Sequence, residues 1–201
     1  MKILIATNNN GKKKEIAALF EGTRFELCFP NDLGITTDVE ETGSTYAENA
    51  AIKAETLSRL SGMVTLADDT GLEVKDLDGR PGLHSARYVP TKGATDAERR
   101  AKLLTELAEK PAPWLARFVC VVAVSAPGMS TKSFEGEVHG EIITRESGEF
   151  GFGYDRIFWI PQVGKTLADL PMSEKNDISH RAMAVNNAIR YLQDQWGQAG
   201  M

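Results

Sequence analysis

Two adjacent carboxylates, Asp68 and Asp69, have the clearest capacity for chemistry in this chain. Val64 and Leu66 lead into them as β-formers, and the hydroxyl of Thr70 and the turn-permitting Gly71 follow. Side chains alternate along an extended segment, so the two aspartates point to different sides. One can then hold a metal while the other faces solvent or a ligand. Carboxylates crowded at a strand end repel each other unless a cation or a proton sits between them. An ordinary acidic turn has the same composition, so the pair gains meaning only from its company. Glu40 and Glu41 join it only if their loop folds over the aspartates.

Three other stretches supply complementary groups. Thr7, Asn8, Asn9, Asn10, Gly11 and Lys12 form a polar loop after the apolar strand Ile3 to Ala6. A helix carrying Ile16, Leu19 and Phe20 follows and stops near Gly22. Strand, loop and helix in succession aim unpaired helix amides at the loop, a natural anion site, and Lys12 to Lys14 add positive charge. The loop lacks the leading glycine of a Walker A motif, and Lys13 stands where Ser or Thr would follow the lysine. Glu149 to Asp155 alternates glycine with aromatic residues, including Phe152, Gly153 and Tyr154. Such a loop lets a flat ligand stack on a ring, or folds its rings into the core. His180 and Arg181 open the last helix, with Lys175 just upstream. Cations at a positive helix end are disfavoured by the dipole, and an anionic or oxygen-rich partner relieves the conflict.

The elements that must position these residues alternate between strand and helix. Phe25 to Phe29 reads as a second strand. Thr45 and Glu48 have capping-box spacing and open a helix with Ala47, Ala50, Ala54 and Leu57 on one stripe, ended by Gly62. Lys53 on that helix reads first as a solvated lysine and second as a substrate-binding candidate. Asp76 to Gly82 is turn-rich. Thr95 and Glu98 repeat the capping-box spacing before a helix carrying Ala101, Leu104, Leu107 and Ala108. Trp114 to Ser125 is apolar on nearly both faces, Arg117 excepted, as a central strand is. Pro127-Gly128 suits a type II turn, and the return strand alternates Phe134, Val138 and Ile142 with polar partners, which predicts one wet face. Ile157 to Ile160 reads as a last short strand. Ile178, Ala182, Val185, Ile189, Leu192 and Trp196 then predict one long helix.

At 201 residues, with 42% hydrophobic and 25% charged residues, the chain has the composition of a globular protein. A single domain over residues 1–201, built as one α/β unit or two lobes of one fold, is the expectation. A net charge of −5 argues against a general nucleic-acid surface. Cys28 and Cys120 lie in apolar runs without metal-ligand spacing and read as buried thiols of a reducing compartment. The opening apolar run is too short for a signal peptide, and no window reaches the length of a membrane span. A cytoplasmic protein without nucleic-acid or membrane partners is expected.

Taken in order, a set of motifs carries a resemblance across nearly the whole chain. They are Thr7-Asn8-Asn9-Asn10-Gly11-Lys12, Glu41-Thr42-Gly43 with Glu48-Asn49-Ala50, and Ala67-Asp68-Asp69-Thr70-Gly71-Leu72. Pro81-Gly82 with Ser85-Ala86-Arg87-Tyr88, Gly151-Phe152-Gly153-Tyr154-Asp155, and Glu174-Lys175-Asn176 with Ser179-His180-Arg181 complete the set. In this order they resemble the noncanonical purine nucleoside triphosphate pyrophosphatases, also called inosine triphosphate pyrophosphatases.

The resemblance implies an elongated mixed β-sheet flanked by helices, in two lobes with a central nucleotide-binding cleft, usually as a homodimer. It implies Mg²⁺-dependent hydrolysis of ITP, dITP or XTP to the monophosphate and pyrophosphate. By the same resemblance, Thr7 to Lys12 cradle the triphosphate, and Glu40 or Glu41 with Asp69 or Asp68 bind magnesium. Asp69 matches the proton acceptor and Thr70 a substrate-contact position. Phe152 to Asp155, Lys175, His180 and Arg181 match the purine-holding positions. Two departures stand out: Arg156 where the family usually has proline, and His84 where an aromatic residue is common before Ser85. The competing readings are an aspartate-dependent phosphatase, which releases orthophosphate through a phosphoenzyme, and a nucleotide sensor that does not hydrolyse its ligand.

Overall fold

The computed structural model describes residues 1–197. In chain order it contains β1 (Lys2–Ile5), α1 (Asn10–Phe20), β2 (Glu26–Cys28), α2 (Tyr46–Ser61), β3 (Thr65–Val74) and β4 (Pro81–Gly82). There follow α3 (Asp96–Leu107), β5 (Trp114–Ser125), β6 (Lys132–Ile142), β7 (Phe158–Ile160), β8 (Lys165–Thr166), α4 (Met172–Ile178) and α5 (His180–Trp196). Hydrogen-bonded strands run in the order β2-β1-β3-β5-β6-β7-β8, with β4 on β3. Pairing is parallel among β2, β1 and β3, and antiparallel from β3 to β4 and along β6, β7 and β8, so the sheet is mixed.

Contacts divide the chain into two compact units. The first comprises Met1–Asp69, Cys120–Gly136 and the chain from His180 onward; the second comprises Thr70–Val119 and Glu137–Ser179.

In the first unit, alternation along the strands builds two cores. Ile3, Ile5, Leu66, Cys120 and Val122 pack with Ile16 and Phe20 of α1 and Val185, Ile189 and Leu192 of α5. Leu4, Ala6, Ala67, Val121 and Ala123 pack with Ala50, Ala54 and Leu57 of α2. Strands buried on both faces read as continuous apolar runs, which is why β1 and β5 show little polar alternation. Both expected ends of α2 are present: Thr45 and Glu48 form the capping box, and Gly62 at φ +70° caps the C-terminus. Ala126 accepts from the amide of Met129 across Pro127-Gly128, with Gly128 at φ +75°, as a type II turn requires. Gly136 is a packing requirement, since a Cβ there would strike the His180 carbonyl and the Met183 side chain.

In the second unit, Leu72 and Val74 of β3, Ala116 and Phe118 of β5, and Val138 and Ile142 of β6 bury one face against Leu103 and Leu107 of α3. The opposite face explains Arg117. Its guanidinium bridges Glu73 and Glu137 on other strands at 2.8 Å each, on the wet side of the sheet. Such cross-strand pairs are worth roughly 0.2–1 kcal/mol and fix register more than stability.

Three expectations need correction. β3 does not end at the aspartates but runs on to Val74, because Leu72 and Val74 continue the buried alternation. The α3 stripe is centred on the fully buried Leu103 and Leu107, with Leu104 only half-buried. The predicted last helix is two helices: Ser179 is extended, and its amide closes α4 on the Lys175 carbonyl. Ile178 packs with the core of the second unit, whereas Val185, Ile189 and Leu192 pack with that of the first. The two-residue strand β8 is too short to leave a periodic signal.

Candidate active site

β1 ends at Ile5, paired with Leu66, while β3 continues. Asp68 and Asp69 therefore lie past the carboxyl end of the neighbouring parallel strand, where α1 also begins. This is the end of an α/β sheet at which ligands bind. Alternation continues through the pair. Asp68 follows Leu66 to the α1 and α5 side, and Asp69 follows Ala67 to the α2 side.

The Asp68 carboxylate is buried and meets two cations. Lys12 Nζ lies at 2.9 Å and Arg181 Nε at 3.3 Å, both on Oδ2. Arg181, itself buried, also binds the carboxylate of the buried Glu15. Burial opposes ionisation of Asp68, but Lys12 and then Arg181 and Lys53 outweigh it and hold its pKa far below the carboxylate range. Arg181 is shifted further up: burial disfavours its charge, and Glu15 and Asp68 more than compensate. The helix-end conflict posed by Arg181 is thus met by protein carboxylates.

Replacing Arg181 by Met is expected to cost about 3–5 kcal/mol, because two buried carboxylates lose their shared counter-charge. Chemical denaturation of the variant measures it. The ion pairs of Asp68 hold above the ordinary carboxylate range and are lost only as pH falls through the depressed value. Arg181→Met raises that value, so acid unfolding begins at higher pH than in the parent protein.

On the α2 side, Lys53 gathers the other acids. Its Nζ lies 2.7 Å from Glu41 Oε1, 2.6 Å from the Asp68 carbonyl oxygen and 4.0 Å from Asp69 Oδ1. Burial alone would lower the Lys53 pKa, but Asp68, Asp69 and Glu41 hold it above the usual lysine value. Asp69 is shifted up, first by burial, with Lys53 opposing and Glu41 adding to the rise. Asn49 Nδ2 donates to Asp69 Oδ2 at 3.1 Å, and the Gly43 amide donates to Asn49 Oδ1 at 2.8 Å. A Cβ at Gly43 would collide with Glu48 and Asn49, so the Glu41-Thr42-Gly43 turn is fitted closely to the start of α2.

These residues fit a hard divalent cation. Glu41 and Asp69 already share one cation, and the raised pKa of Asp69 marks a carboxylate that further positive charge would stabilise. Among the described residues no three His, Cys, Asp or Glu side chains gather into a metal cage. An ion here would draw its remaining ligands from substrate and water. Glu40 is exposed, while Glu41 is drawn in to Lys53.

The Asn-rich loop folds as a helix cap, so the Gly11 and Lys12 amides are taken by Asn9 and not left open for an anion as expected. Asn9 Oδ1 accepts from the amides of Gly11 and Lys12 at 2.8 and 3.1 Å, and Thr7 Oγ1 accepts from the Asn9 amide. Asn8 and Asn10 are exposed, and Asn10 already belongs to α1.

A second group of predicted residues lies within the second unit. Asp155 Oδ2 accepts from Lys175 Nζ at 2.6 Å and from the Phe152 amide at 2.9 Å, and both charged residues are buried. Lys175 Nζ sits 5.6 Å from the centre of the half-buried Phe152 ring. The two aromatic roles weighed for this loop divide between its residues: Phe152 stays half-buried, whereas Tyr154 enters the core and donates to the Ser85 carbonyl at 3.0 Å. Gly151 at φ +71° lets the loop close over the Lys175–Asp155 pair, which a Cβ would strike. Thr70, next to Asp69, is half-buried, and His180 is buried at the first position of α5.

Two participants escape the candidate set read from sequence. Glu15 is a lone acid after three lysines, and its place beside the buried Ile16 is the only signal that it faces inward. Asn49 stands in the Glu48-Asn49-Ala50 motif without an assigned role, which appears only where it joins the Gly43 turn to Asp69.

Residues 3–191 match the Ham1 family. The chain belongs to the Ham1 family. Among its relatives, the dITP/XTP pyrophosphatase of Geobacillus kaustophilus is 47% identical over 196 residues, covering 97% of this chain and 94% of that protein. The dITP/XTP pyrophosphatase of Listeria innocua is 45% identical over 193 residues, covering 96% and 93%. The solved structure of the Staphylococcus aureus Ham1 protein superposes with a TM-score of 0.86 at 41% identity, covering 97% of this chain and all of that one. A divalent-metal requirement is consistent with Ham1 membership. No helix among the described residues is long and apolar enough to cross a membrane.

Proposed function

We propose that this chain hydrolyses the α–β phosphoanhydride of noncanonical purine nucleoside triphosphates (ITP, dITP and XTP), releasing the nucleoside monophosphate and pyrophosphate. The observation that carries this reading is the charged cluster in which Lys53 holds Glu41 beside Asp69 while Lys12 and Arg181 hold Asp68. Acids and cations side by side suit a metal-bound polyphosphate. Relatives over nearly the full length that bear the name dITP/XTP pyrophosphatase support the choice of substrate.

In this reading Glu41 and Asp69 would hold Mg²⁺, while Asp68, also expected as a metal carboxylate, is instead taken by Lys12 and Arg181. When bound, the ion supplies Lewis acidity at a phosphoryl oxygen. Asp69, oriented by Asn49, accepts a proton from the attacking water. The water oxygen bonds to the α-phosphorus, the bond from that phosphorus to the bridging oxygen breaks, and the electron pair leaves with pyrophosphate. Asp68 keeps Lys12 in place for the departing phosphates, and Arg181 anchors Asp68. The side chains of Thr7, Asn8 and Asn10 belong to the phosphate tail, because Asn9 occupies two of the helix amides. Phe152, Gly153 and Lys175 serve the base, with Tyr154 and Asp155 holding their loop and ammonium in place. The family resemblance assigns His180 to the base and Thr70 to the substrate. The reading includes a homodimer and a cytoplasmic location, where the nucleotide pool lies.

The test is to incubate the protein with ITP and Mg²⁺ and identify the products. IMP with pyrophosphate is the expected outcome. Orthophosphate as first product supports a phosphatase instead, and tight ITP binding without any product supports a sensor.

A further inference from the structure

We propose that Asp96 and Arg100 of α3, with Glu146, are positioning residues that set base selectivity by clamping the Gly153 backbone on both sides of its Cα; the proposal rests on the assignment of the Phe152 loop to the base. Asp96 Oδ2 accepts from the Gly153 amide at 2.7 Å, and Arg100 Nη1 donates to the Gly153 carbonyl at 2.8 Å. Both backbone polar atoms of one residue, on the two peptide units that flank its Cα, are thus held from a single helix. Asp96 and Arg100 are four residues apart, so they share a helix face. The capping box of Thr95 and Glu98 fixes where that helix starts.

Arg100 is held in turn. Glu146 accepts from its Nε at 2.7 Å and from its Nη2 at 3.0 Å, a two-pronged pair that fixes the guanidinium plane. Arg100 is buried, with its side chain 7% exposed. Arg156, the departure from the family pattern, reaches the same Glu146 at 3.5 Å. Gly153 itself is at φ +63°, between the half-buried ring of Phe152 and the buried ring of Tyr154. Fixing its backbone fixes how Phe152 stands beside Lys175. Asp96, Arg100, Gly151, Phe152 and Arg156 line one pocket of about 450 Å³. None of the clamp residues belongs to the phosphate or metal cluster, so their effect should fall on base recognition.

The experiment compares Asp96→Ala, Asp96→Asn and Arg100→Met with the parent protein, using ITP and ATP as substrates and inorganic tripolyphosphate as inhibitor. Loss of one charge-assisted hydrogen bond predicts roughly a tenfold or greater rise in KM for ITP in Asp96→Ala and Arg100→Met. The ITP-to-ATP ratio of kcat/KM should shrink by about the same factor. Saturating kcat should stay within about twofold, and tripolyphosphate inhibition should be unchanged, since the tail binds elsewhere. Asp96→Asn, which keeps an acceptor for the Gly153 amide, should retain most of the selectivity. An unchanged ITP-to-ATP ratio, or equal loss of turnover and tripolyphosphate binding, overturns the proposal and leaves a purely structural anchor. If Arg100→Met does not fold, the two Asp96 variants decide. A parent protein that releases no IMP and pyrophosphate from ITP overturns the functional reading itself.

Discussion

Asp69→Asn is expected to lower kcat for ITP by at least about 10²–10⁴-fold, the usual worth of a positioned proton acceptor. An unperturbed aspartate, with a pKa of about 3.9, is a feeble base at neutral pH. Burial pushes Asp69 upward, with Lys53 opposing and Glu41 adding to the rise. Mg²⁺ held there would lower it again, so its role rests on its position beside the ion rather than on unusual basicity. The amide is nearly isosteric and can keep a contact with Asn49 if its oxygen faces Asn49 Nδ2, so the fold should survive. What disappears is the proton acceptor, together with one metal carboxylate. The folded variant is checked by its unfolding midpoint and by steady-state kinetics at saturating Mg²⁺. Near-normal turnover would remove Asp69 from its role.

The second large effect concerns the base. ITP should exceed ATP in kcat/KM by about 10⁴ or more, because sites built on hydrogen bonds reject analogues that leave those groups unpaired. The Lys175 ammonium is donor-only, and the buried Asp155 prevents it from swinging away. A fixed donor suits the O6 acceptor of hypoxanthine or xanthine and opposes the 6-amino group of adenine. Competition assays with mixed ITP and ATP give the ratio directly, and comparable values for the two would defeat the assignment.

Local signals in the sequence specify the scaffold well. Capping boxes at Thr45 and Thr95, the Gly62 cap, the Pro127-Gly128 turn and the limits of β5 all follow from nearest-neighbour chemistry. The alternation that separates Asp68 from Asp69 was also legible, since strand geometry alone dictates it. What the sequence hides is pairing over long chain separations. Arg181 and Glu15 are 166 positions apart, and only the packing of α1 and α5 in one core brings them together. Without that contact Arg181 reads as a ligand for a base or phosphate; with it, Arg181 is the counter-charge of Asp68. The break at Ser179 stayed hidden for a similar reason. Ile178 and Ala182 keep a helical step, and nothing local reveals that the stripe serves two separate cores.

The most direct test of the account follows the oxygen. Hydrolysis of ITP in water enriched in heavy oxygen should place the label in the phosphate of IMP and leave the pyrophosphate unlabelled, because the water activated beside Asp69 attacks the α-phosphorus. Label in pyrophosphate, or in orthophosphate released first, would contradict it.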